Sequence, residues 1–194
     1  MKKVVSLFQN ISGYIGLVAY ALLFVYSLGM ATPAAPLKQY QDTITYYSQI
    51  MPYNNAILLL SIFGLIICAF YYVLRNHQRQ VYYVSNFAWY GVNCSYTILS
   101  AIISIIGIAT YQTTFSQLDF ATINNYFAER QITKTVNANT PVFLLGYLCV
   151  VLLVLTLIPY ILVLIDKIQG RRRYENNKKN GVANPVTYNP KEAK

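Results

Sequence analysis

Asn86, Tyr90, Asn93, Thr97, Ser100 and Ser104 follow one another at steps of four, three, four, three and four residues. That spacing puts six hydroxyl or amide groups on one face of an α-helix. The chemistry open to such a stripe is hydrogen bonding, either to side chains of another helix or to water and solute moving past it. Catalysis asks for more, because a nucleophile needs a base within hydrogen-bond reach. The chain's one histidine, His77, has no acidic neighbour, and the acidic residues are scattered singly. The sequence holds no HExxH, CxxC, Walker-loop or GxSxG pattern. These residues argue against an enzyme and imply no cofactor and no metal.

The element that carries the stripe is apolar on its other side, through Ala88, Val92, Leu99, Ile102, Ile103 and Ile106. The whole chain shares this character. It is 56% hydrophobic and 11% charged, where a soluble domain carries about 25% charged residues. Apolar residues collect in four runs, 11–30, 56–74, 81–110 and 142–165, none of which contains Asp, Glu, Lys, Arg or His. About 20 helical residues cross a ~30 Å hydrocarbon layer. The sequence therefore predicts an all-α integral membrane protein with four transmembrane helices. The first run is longer than the ~7–15 apolar residues of a signal peptide and reads as an uncleaved helix. Polar groups facing lipid would be unsatisfied, so the stripe must face protein or a hydrated space.

Charge sets the expected topology. Lys2, Lys3, Arg75, Arg79, Lys167, Arg171, Arg172, Arg173, Lys178, Lys179, Lys191 and Lys194 fall on one side, and Lys38, Arg130 and Lys134 on the other. Twelve against three places both termini and the 75–79 loop in the cytoplasm. The net charge of +9 then belongs to the membrane face and asks for no nucleic acid. The stretch YYVLRNHQRQVYYV, 71–84, mirrors itself because two spans meet the same interface there, with Tyr71, Tyr72, Tyr82 and Tyr83 at headgroup depth. Cys68, Cys94 and Cys149 all lie in spans, so the outer loops hold no disulfide. Outer loops without cysteine or a glycosylation site point to a bacterial inner membrane.

Each outer loop is expected to contribute a short amphipathic helix. In 31–55 the face is Leu37, Tyr40, Ile44, Tyr47 and Met51, with Pro36 at the start and Pro52 at the end. In 111–140 a Ser116-x-x-Asp119 pattern precedes Phe120, Ile123 and Phe127. Lipid headgroups, the end of the bundle and a partner are all open to these helices, and Tyr40, Tyr47, Phe120 and Phe127 are the candidate contacts to a partner or to lipid. Residues 1–170 form the expected membrane domain. Residues 171–194 read as a disordered basic cytoplasmic tail, whose Arg171, Arg172 and Arg173 are candidate contacts for anionic lipid. Pro159 should kink the last span, with Thr156 positioned to help its freed carbonyl.

Gly91 with Ser95, Ser61 with Gly64 and Cys68, and Gly13 with Gly16 are small residues at helix-packing spacing. Together these features predict a non-catalytic four-helix scaffold or accessory subunit that partners the lipid bilayer and other membrane subunits. The alternative is a small channel or uncharged-solute pathway lined by the stripe.

Overall fold

The computed structural model describes residues 2–31, 41–77, 84–133, 135–138 and 141–180. Its helices are α1 (Lys2–Ala31), α2 (Gln41–His77), α3 (Val84–Ser116), α4 (Phe120–Glu129) and α5 (Val142–Lys179). Four of them contain stretches long and apolar enough to cross a membrane: Gly13–Met30, Thr43–Phe70, Ala88–Ser116 and Val142–Leu162. The chain is thus a multi-pass helical membrane protein by length and composition. At about 1.5 Å per residue the long helices reach roughly 45–57 Å, well beyond a ~30 Å hydrocarbon layer.

The four long helices form a closed square. α1 packs beside α2 and α5, and α3 packs beside the same two. Side-chain pairs fix an antiparallel register layer by layer. Near the α4 end, Phe115 of α3 meets Phe143 of α5, with ring centroids 5.5 Å apart. One layer inward, Ser27 of α1 bonds Asn54 of α2. Midway, the ring of Tyr20 from α1 rests on Gly64 of α2. Towards the terminal end, Cys68 of α2 lies 3.8 Å from the Tyr160 hydroxyl of α5. The sequence provides for this closeness. Gly16, Gly64, Gly107 and Gly146 each sit where an added Cβ would press on a side chain of another helix. In lipid no hydrophobic force draws helices together, so close packing through small residues carries the association.

Three element boundaries differ from the sequence expectation. Pro52 does not end a loop helix; it lies inside α2, which runs unbroken from Gln41. A proline there frees the Ser48 carbonyl, and both residues are exposed at the surface of the helix. The turns on either side of it are held by packing, since Thr43, Tyr46 and Ile50 before it and Asn54 and Ile57 after it are buried. That face is rotated from the expected one: Ile44 is 58% and Met51 43% exposed. The expected members Leu37 and Tyr40 lie outside the described residues.

At the other end, α5 does not stop at Gly170. It continues to Lys179, through the first nine residues assigned to a disordered tail, and Arg171 Nε holds Glu175 at 2.7 Å one turn on. An i,i+4 pair of this kind supports an exposed helix. The rest of the tail, 181–194, lies outside the described residues. Thr156 Oγ1 donates to the Leu153 carbonyl, not to the Leu155 carbonyl that Pro159 frees.

Third, the start of α4 uses a different cap from the expected box. Asp119 itself is the N-cap, accepting from Ala121 N at 3.1 Å and Thr122 N at 3.2 Å. The Ser116 hydroxyl bonds back to Thr113 within α3. α4 ends in a Schellman turn: Ile132 N donates to Phe127 O and Gln131 N to Ala128 O. Gln131 takes the left-handed conformation there, φ 55°, a place usually given to glycine. Asn124 then clasps the loop at Val136, donating to Val136 O at 2.9 Å and accepting from Val136 N at 2.8 Å.

Candidate functional site

The helix-three stripe is turned into the bundle. Tyr90, Asn93, Thr97, Ser100 and Ser104 are all buried, while Val92, Leu99, Ile102 and Ile106 on the opposite side are exposed at membrane depth. Asn86 lies in the first turn of α3, and its side chain is outside the described residues.

What the stripe faces is Tyr20, which sequence reasoning missed. Its hydroxyl crosses the diagonal of the square from α1 and donates towards Thr97 Oγ1 at 3.3 Å and Ser100 Oγ at 3.4 Å. Thr97 has already given its own proton to the Asn93 carbonyl at 2.8 Å, so it meets Tyr20 as an acceptor. Gly64 is the residue that lets the ring reach this far, because a Cβ there would overlap the ring. Tyr96, one position before Thr97, packs its ring 6.1 Å from Tyr20 and donates to the Leu60 carbonyl of α2 at 2.7 Å. Among the described residues Asn93 shows no hydrogen bond to another helix. Its amide donates to the Trp89 carbonyl of its own helix at 3.0 Å. Ser104 Oγ is buried without a hydrogen-bond partner among the described residues.

A second polar node lies nearer the α4 end. Ser27, Asn54 and Tyr111, from three helices, are all fully buried. Ser27 Oγ is 3.0 Å from Asn54 Oδ1, Asn54 Nδ2 donates to the Ser27 carbonyl at 3.1 Å, and the Tyr111 hydroxyl donates to Asn54 Oδ1 at 3.2 Å. One amide thus serves three helices and uses both its donor and its acceptor. Sequence reasoning left Asn54 in a loop and saw no pattern, because the three residues share no helix. The available signal was Asn54 lying two residues from an apolar run, where a loop reading and a buried cap look alike.

The three cysteines, Cys68, Cys94 and Cys149, are free and buried. Tyr160 packs with Tyr90 and Cys94 on one side and touches Cys68 on the other.

Of the loop residues named as candidate contacts, Phe127 turns inward, and Tyr47 and Phe120 are half-buried. Phe127 is 2% exposed and, with Ile123, packs against Tyr47, Leu118, Ile132 and Val136. Phe120 stacks on Phe115 at 5.4 Å. These rings pack at the end of the bundle; Tyr40 lies outside the described residues. The reason is that α4 is amphipathic with its apolar face on the core, which leaves Thr122, Asn125 and Glu129 outward. Of the three arginines, Arg171 is paired with Glu175, Arg172 is exposed, and the Arg173 side chain is outside the described residues.

Two carboxylates outside the spans have lowered pKa values. Asp119 is lowered first by the Thr122 hydroxyl at 2.6 Å and then by the Thr122 and Ala121 amides. Glu175 is lowered by its hydrogen bond from Arg171. Between α3 and α5 a cavity of about 360 Å³ opens at membrane depth, lined by Ile105, Tyr147, Val150, Val151, Val154 and Leu155. Among the described residues no three His, Cys, Asp or Glu side chains gather as a metal site. The side chains brought together here make and accept hydrogen bonds between helices. No protein-family model, curated protein or solved structure matches the chain.

Proposed function

We propose that this protein is a non-catalytic membrane scaffold or an accessory subunit of a larger membrane complex. One observation carries the reading: the polar stripe of α3 is met by Tyr20 of the same chain, with Gly64 shaped to admit it. Thr97 and Ser100, which would have to face water or solute in a pathway, are engaged in holding helices together. The α4 cap supports the same view, since its apolar face is directed at the bundle and its polar face outward. In this reading both termini and the 75–79 loop lie in the cytoplasm, by the twelve-to-three split of basic residues, and the membrane is a bacterial inner membrane.

Affinity purification of the full chain from its native membrane, followed by mass spectrometry, tests the proposal. Stoichiometric recovery of other membrane subunits is the expected result. A chain that purifies alone and conducts an uncharged solute in liposomes, with flux altered by Thr97→Val, would replace this reading with the pathway.

A further inference from the structure

We propose that the part of α5 just beyond its apolar span is a binding collar for anionic phospholipid headgroups. The inference does not rest on the accessory-subunit reading. The apolar window of α5 ends at Leu162, and exposed Ile165 and Ile168 continue its apolar surface outward. The helix does not end there but runs on to Lys179. Arg171, Arg172 and Arg173 fall six to eight residues past Ile165, about 9–12 Å along the axis. The headgroup layer begins at the hydrocarbon edge and is about 5–8 Å deep.

Helix direction closes the remaining gap. Every Cα–Cβ bond of an α-helix tilts toward the N-terminus. α5 leaves its apolar span by its C-terminal end, so the long side chains of Arg171 and Arg172 start out leaning back toward the headgroups. Glu175, the acid that holds Arg171 Nε, sits one turn farther out, on the side away from the membrane. Over residues 166–173 the chain carries Lys167, Arg171, Arg172 and Arg173 against Asp166. A phosphodiester anion fixed at the membrane surface is the ligand that matches this charge at this depth.

Native mass spectrometry of the full chain in detergent, titrated with phosphatidylglycerol or phosphatidylcholine, tests the collar. The native chain should prefer the anionic lipid. Each basic residue near the surface contributes about fivefold, so Arg171→Gln/Arg172→Gln/Arg173→Gln should weaken phosphatidylglycerol binding by about a hundredfold. Arg171→Lys/Arg172→Lys/Arg173→Lys keeps the charge and should keep the preference. Lys178→Gln/Lys179→Gln, about 20 Å beyond Ile165, should leave it unchanged. Millimolar inorganic phosphate should not displace the lipid. Equal affinity for the two lipids, a preference that survives the arginine-to-glutamine variant, an equal loss in the Lys178/Lys179 variant, or displacement by phosphate would each overturn the proposal.

Discussion

Gly64 and Gly91 are both helical glycines in apolar runs, and only one of them is indispensable. A Cβ at 64 would overlap the Tyr20 ring, whereas a Cβ at 91 would meet nothing within 4 Å. Gly64→Ala should therefore lower bundle stability by about 1–3 kcal/mol, the usual cost of overpacking. Gly91→Ala should be neutral or stabilise by up to about 1 kcal/mol through helix propensity. Thermal unfolding in detergent separates the two, and equal melting points would sink the account of the Tyr20 crossing. The same pair shows what sequence can reveal at this scale. The α3 stripe was legible because hydroxyls and amides in an apolar run have a period, and that period must point at protein. Its partner was not legible. Tyr20 is one of nineteen tyrosines, and nothing in its own helix marks it as the one that crosses the square. Gly91 with Ser95 had the spacing of a packing motif, yet in the structure that face is turned away from the other helices.

At the scale of elements, α4 is a small amphipathic helix whose ends are both built by side chains and turns close in sequence. Its start depends on an ionised Asp119. The folded pKa of that group is lowered, so its contribution to α4 is complete above the ordinary carboxylate value near 3.8 and is lost as pH falls through the lower folded value. Amide hydrogen exchange at Ala121 and Thr122 should rise in that acid window. Asp119→Asn, which keeps an acceptor but does not titrate, should remove the pH dependence; exchange that still rises with acid in this variant would assign it elsewhere. The docking of α4 rests on Phe127. Phe127→Ala should cost about 3 kcal/mol by opening a cavity against Tyr47 and Ile132. Protease sensitivity confined to 117–138, with the four long helices intact, is the expected signature. An unchanged cleavage pattern would mean that the cap is held by the Asn124 clasp alone. Here the sequence pattern found the apolar positions Ile123 and Phe127. It leaves open the direction in which they act, because a helical face is the same whether lipid, a partner or the bundle lies beneath it. Pro52 misled for a related reason: local chemistry marks a helix end, and the buried run Thr43, Tyr46 and Ile50 outweighs it through contacts distant in sequence.

For the whole molecule, an antiparallel square of four spans puts Lys2 and Lys179 at the same end, and the α4 cap at the other. Single cysteines at Gln41, Gln78 and Asn125 in a background without Cys68, Cys94 and Cys149 should report the sides. In intact cells an impermeant thiol reagent should label Gln41→Cys and Asn125→Cys and spare Gln78→Cys, and the reverse pattern would invert the protein in the membrane. Composition made the spans legible, because runs of apolar residues answer to the thickness of the bilayer alone. The lengths of the complete helices were not legible, since what holds α2 and α5 together beyond the spans is packing and one ion pair. The continuity of α2 has a mechanical consequence. From Gly64, where Tyr20 bears on it, to Tyr47, which packs against the α4 cap, is about 26 Å of continuous helix with Pro52 between them. A rocking of α2 by about 5° at that fulcrum would carry the cap sideways by about 2 Å. The cap and the interior of the bundle are in this sense the two arms of one lever, and a force applied to either is felt by the other.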